Sequence, residues 1–162
     1  MYSSTGIFFV SALCVLLLPY YVAGELQIKS CKKEDLSPGA ISMGDINVDG
    51  NTIKSSTMEI KQEINTGLIT VQLTIKNEDG DSVMEQNIDF CSMSSMDTFK
   101  PYFQSFSQSE FNEGNCPINP GTYNSGDFQI RPDGGDGDFT VNIDVKEGPT
   151  SLFYINCEVK LE

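Results

Sequence analysis

From Leu68 to Lys76 apolar and polar residues take turns: Ile69, Val71, Leu73 and Ile75 point one way, Thr70, Gln72, Thr74 and Lys76 the other. A period of two marks a strand with one buried face. Asp79-Gly80 follows, and because both residues tolerate positive φ a hairpin is expected, with Met84, Ile88 and Phe90 on the return strand toward Cys91. The same beat returns at Phe139, Val141, Ile143 and Val145, set against Thr140, Asn142, Asp144 and Lys146. It returns again at Phe153, Ile155, Cys157, Val159 and Leu161.

Shorter alternations complete the pattern. Leu26 and Ile28 alternate with Gln27 and Lys29 before Cys31, and Lys32 to Pro38 reads as a polar stretch that ends in a Pro-Gly turn. Ile41 and Met43, extending to Ile46 and Val48, predict a second strand, and Met58, Ile60 and Ile64 a third. Tyr123, Phe128 and Ile130 predict one more. Only between Cys91 and Cys116 does the period change: Met96, Phe99, Phe103 and Phe106 fall at i, i+3, i+7 and i+10, with Tyr102 beside them, the spacing of one helix face. About eight short strands with one short helix predict an all-β fold, an antiparallel β-sandwich.

The first residues stand apart from this rhythm. An apolar run from Ile7 to Leu18, the break at Pro19 and the small residues of Val22-Ala23-Gly24 predict a secretory signal over 1–24, leaving one domain over 25–162. Cleavage there removes Cys14 and leaves Cys31, Cys91, Cys116 and Cys157. An even number in a secreted chain predicts two disulfides, and the spacing leaves all three pairings open. A metal site is disfavoured by the lack of histidine and of any Cys-x-x-Cys.

Charge narrows the partners. The net charge of −13 lies entirely beyond residue 24, and such a surface repels phosphate backbones and anionic membranes, so nucleic acid is not expected as a partner. In an acidic lumen many of the carboxylates approach their titration range and that repulsion falls. Catalysis finds little to use. Without histidine the Ser-His and Cys-His arrangements are absent, and there is no Gly-x-Ser-x-Gly elbow, P-loop or Gly-x-Gly-x-x-Gly. Asp45-Ile46-Asn47-Val48-Asp49-Gly50 opens like an EF-hand loop, but its twelfth position is Ser56, not Glu. The acidic glycine run at 132–138 likewise lacks the residue that would complete a calcium repeat, so both read as polar turns and no cofactor is expected.

Ten Phe and six Tyr with no Trp, the Phe concentrated between residues 90 and 139, are the residues from which a core or an apolar cavity is built. Cys91, Phe99 and the run Cys116-Pro117-Ile118-Asn119-Pro120-Gly121-Thr122-Tyr123 are followed by Phe128, Pro132, the strand from Phe139 to Val145 and a closing Ile155-Asn156-Cys157. This text resembles the ML lipid-recognition superfamily, within it the ganglioside activator proteins and their arthropod relatives. The resemblance covers about 70 residues, from Cys91 to the end. It implies an immunoglobulin-like β-sandwich whose sheets splay around a pocket for acyl chains, sterols or glycolipids. It also implies that Cys31 pairs with Cys157 and Cys91 with Cys116.

Together these features point to a secreted, monomeric, non-enzymatic protein that carries or presents a hydrophobic small molecule or lipid in an inter-sheet cavity, with a receptor or membrane donor as further partner. Parity and helical spacing nominate Phe90, Phe99, Phe103, Phe106, Tyr123, Phe128, Phe139, Val141 and Phe153 as its lining. The competing class is a protein-interaction module with the same sandwich solidly packed.

Overall fold

The computed structural model describes residues 26–54, 56–93, 95–96, 116–129 and 136–162. They form an antiparallel β-sandwich with one short helix. One layer is a five-stranded sheet of β1 (Leu26–Asp35), β6 (Ile69–Asn77), β7 (Ser82–Asp89), β10 (Gly137–Glu147) and β11 (Thr150–Leu161), in the order β1-β11-β10-β6-β7. Facing it are two three-stranded sheets. One pairs β2 (Ile41–Met43), β5 (Thr57–Ile60) and β8 (Gly121–Asn124), the other β3 (Val48–Asp49), β4 (Thr52–Ile53) and β9 (Phe128–Gln129).

The alternating runs become the centre of the large sheet. Along β6, Ile69, Val71, Leu73 and Ile75 are buried, while Thr70, Gln72 and Thr74 are half-buried on the other face. β10 lies between β6 and β11 so that Ile143 sits opposite both Leu73 and Ile155, and Val145 opposite both Val71 and Phe153. On the outer face the same register gathers polar groups: Asn142 Oδ1 accepts from Tyr154 Oη at 2.5 Å and from Asn156 Nδ2 at 2.6 Å. Gly80, at φ 84°, closes the β6–β7 hairpin, where the Asp81 N–H donates to Asn77 Oδ1 at 2.9 Å.

Several expectations change. β1 does not stop at Cys31 but runs on to Asp35, because its backbone stays paired with β11 as far as Phe153. The stretch from Lys32 onward is therefore strand before it is turn. Phe90 opens the helix α1 (Phe90–Met93) instead of ending β7. The second expected strand is split into β2 and β3, and Ile64 makes only an isolated bridge to Ile118. Tyr123 and Phe128 belong to strands of different sheets, and Ile130 lies outside the described residues. The expected helix through Met96, Phe99, Phe103 and Phe106 also lies outside them, apart from Met96.

Two disulfides cross-link the chain. Cys31–Cys157 joins β1 to β11, where the two residues are register partners, and Cys91–Cys116 ties α1 to the segment before β8. The layers are moored at the β10–β11 turn. Glu147 Oε2 accepts from the Ala40 N–H at 2.9 Å, its Oε1 accepts from Gln62 Nε2 at 3.2 Å, and the Leu152 carbonyl accepts from the Leu36 and Ser37 N–H groups at 2.9 and 3.0 Å. A Cβ on Gly39 would come within 2.7 Å of Glu147 Oε2, so the approach depends on glycine.

Loop closure ranks the two bridges. With separations of 126 and 25 residues, the chain-entropy relation assigns about 5 kcal/mol to Cys31–Cys157 and about 3.5 kcal/mol to Cys91–Cys116. Replacing each pair by alanine should lower the unfolding free energy in guanidinium titrations, more for Cys31/Cys157. The reverse order would mean that the reduced chain retains structure across the longer loop.

Candidate ligand cavity

The two layers do not close completely on each other. Between them lies a cavity of about 60 Å³ whose walls come from both layers and from α1. The five-stranded sheet contributes Val71, Ile143, Val145, Phe153, Ile155 and Cys157, the helix Phe90 and Met93, and the smaller sheets Ile41, Met43, Met58 and Ile53, with Ile46 from the link between β2 and β3. Among the described residues no lining side chain carries a charge or a hydrogen-bonding nitrogen or oxygen. The parity of each strand explains the set: alternate residues point to the inner face, and on β10 and β11 those are Ile143 and Val145, and Phe153, Ile155 and Cys157.

Most of the lining is fully buried, but Met43 and Ile46 are half-buried, which puts the rim of the cavity at the break between β2 and β3. Two lysines stand beside that rim. Lys54, next to Ile53, donates to Asp127 Oδ2 at 3.2 Å and lies 3.4 Å from Asp49 Oδ2, tying the β3–β4 hairpin to the segment before β9. Hydrogen bonding to Asp127 first, and its charge, hold the Lys54 ammonium above the usual lysine pKa. Lys33, on β1, donates to the Met43 carbonyl at 2.6 Å and to both oxygens of Asp35 at 2.8 and 2.7 Å.

Of the nominated lining residues, Phe90 and Phe153 stand in the cavity wall. Tyr123 is buried in the core with its hydroxyl donating to the Asn119 carbonyl at 2.7 Å, and it is the register partner of the wall residue Met58 without itself lining the cavity. Val141 is also in the packed core, and Phe139 is half-buried against it. Phe128 pairs with Ile53 through its backbone, and its side chain lies outside the description. Phe99, Phe103 and Phe106 lie outside the described residues. The wall is thus mainly Ile, Val and Met. A reading centred on aromatic residues passes over Ile143, Val145 and Ile155, although their alternation already placed them inward.

Among the described residues no three Asp, Glu or Cys side chains come together as a metal site, and Asp49 of the EF-hand-like stretch faces Lys54. Comparison with known proteins adds little. No family model matches the chain, and no curated protein does. Among solved structures, chicken MD-1 complexed with lipid IVa aligns with a TM-score of 0.43 at 10% identity, over 83% of this chain and 96% of that one. A likeness at that level assigns neither family nor ligand.

The cavity predicts a contrast between two valines. Val71→Ile adds a methyl where space is open and should be neutral or stabilising, whereas Val141→Ile, in a closed part of the core, should cost about 1–3 kcal/mol. Guanidinium midpoints measure both, and equal losses would mean that the space beside Val71 is already filled.

Proposed function

We propose that this chain is a secreted, non-enzymatic lipid-binding protein of the ML type, which holds an apolar ligand between its two layers for transport or presentation. The observation that carries the reading is a cavity whose described lining, thirteen residues, has no polar side-chain nitrogen or oxygen, set where one layer is interrupted. A core selected only for stability fills its voids, since each unfilled methyl-sized space costs about 1 kcal/mol. Two disulfides accord with an oxidising compartment and hence with a signal over residues 1–24. Acyl lipid, sterol and glycolipid are the ligand classes in view, with a monomer as the binding species.

The volume sets a condition on this function. Pockets for drug-sized ligands measure roughly 300–1,000 Å³, so at about 60 Å³ a lipid chain enters only if the layers separate. Each methylene transferred from water contributes about 0.8 kcal/mol, which makes a long single chain able to drive that separation and a short one unable to. The layers are moored at Glu147 and Leu152 and are also joined at Met43 by the hydrogen bond from Lys33, so the side that opens is the rim beside Ile46.

The same small volume favours a second reading, a packed sandwich that docks a receptor through its surface. The two are separated by extracting the secreted protein with organic solvent, analysing the extract by mass spectrometry, and titrating the protein with the neutral fluorophore N-phenyl-1-naphthylamine. A carrier yields a lipid or binds the fluorophore, and the double variant Val71→Phe/Val145→Phe loses that binding while remaining folded. No co-purified lipid and no fluorophore binding would end the carrier reading.

A further inference from the structure

Lys33 is the anomaly of the inner face. β1 begins with Ile28 buried, and unbroken alternation would bring Ser30 and then Lys32 to that face. A β-bulge between Ile28 and Ser30 shifts the register by one, so that Cys31, Lys33 and Asp35 lie opposite Cys157, Ile155 and Phe153 instead. Those three partners are all in the cavity wall. Register partners share a face, so Lys33 is aimed to the inner side of the sheet, where it is the only basic residue among those described. Its side chain is 8% exposed, in a chain whose net charge is −13.

The surroundings of the ammonium are asymmetric. On one side it donates to the carbonyl of Met43, a residue of the cavity rim. On the other it is met by both oxygens of Asp35, whose side chain is 68% exposed. The cation is buried and its counter-ion exposed, and an exposed carboxylate gives up such a contact at little cost because water replaces it. Asp35 thus shows which group this ammonium accepts, a two-oxygen anion, in a place reached from the rim of an apolar slot.

We infer that Lys33 is the headgroup subsite of the cavity, and that the ligand class is a single-chain carboxylate, a fatty acid whose tail lies between the layers and whose carboxylate takes the place of Asp35. This rests on the carrier reading and narrows its ligand. The ion pair is exchanged for another of the same kind, so no buried charge is left unpaired during loading.

Laurate and dodecanol, which share a tail and differ in charge, are titrated against bound N-phenyl-1-naphthylamine. The wild-type protein should prefer laurate by at least about tenfold, the range of a hydrogen bond to a charged group. In Lys33→Gln the ratio of acid to alcohol affinity should collapse toward one. Asp35→Asn, which weakens the internal competitor and leaves Lys33 in place, should strengthen laurate binding severalfold, and it serves if Lys33→Gln fails to fold. Equal affinities for acid and alcohol in the wild type overturn the inference while leaving the carrier reading intact. So does a Lys33→Gln variant that loses both alike, or an Asp35→Asn variant with unchanged or weakened laurate binding, because a purely structural tie between β1 and β2 gives those results. If the fluorophore and both ligands fail to bind, the carrier reading itself falls.

Discussion

The structure depends on the register that holds β10 between β6 and β11. Three successive inward positions of β10, Val141, Ile143 and Val145, meet apolar partners on both sides: Ile75 and Cys157, Leu73 and Ile155, Val71 and Phe153. Because the side-chain period is two, a slip of one residue would carry Thr140, Asn142 and Asp144 into the core and expose these rows. The outer face reinforces the same alignment, since Asn142 meets Tyr154 and Asn156, and Lys146 Nζ donates to Gln72 Oε1 at 2.8 Å, only in this pairing. The inner surface formed by β6, β10 and β11 is therefore an apolar wall, against which the rest of the chain is arranged.

The opposite layer is built differently. Its strands are two to four residues long, and the chain breaks between β2 and β3 where Gly44 and Asp45 interrupt the apolar pattern. Short strands present few apolar side chains to the wall, and among the described lining residues Met43 and Ile46 are the half-buried ones. Polar contacts tie this layer to the large sheet at both ends: on the Glu147 carboxylate and the Leu152 carbonyl at one, and from Lys33 to the Met43 carbonyl at the other. A continuous five-stranded sheet thus faces two short three-stranded ones, and the cavity lies between them.

What was legible in the sequence follows from how strongly a residue's environment is set by its immediate neighbours. β6, β10 and β11 stand out because strict alternation over seven or more residues has no competing explanation, and the all-β class follows from them. β4 has no such signal, since Thr52 and Ile53 form a strand only because Val48, Asp49, Phe128 and Gln129 are brought alongside. The pairing of Cys31 with Cys157 is decided by the β1–β11 register, which spacing along the chain does not encode. Lys33 was hidden most completely: the charged text from Lys32 to Asp35 reads as solvated, and only the bulge upstream reverses which of those charges turns inward. In the described part of the cavity wall, Ile143 and Val145 stand where the parity of the alternating run puts them, beside Phe90 and Phe153.

The space between the layers also has a mechanical meaning. A void is volume that the folded chain occupies and the unfolded chain does not, so unfolding is accompanied by contraction and compression works against the native state. Filling the slot removes that contraction. In this fold the cavity of about 60 Å³ is therefore a source of sensitivity to hydrostatic pressure.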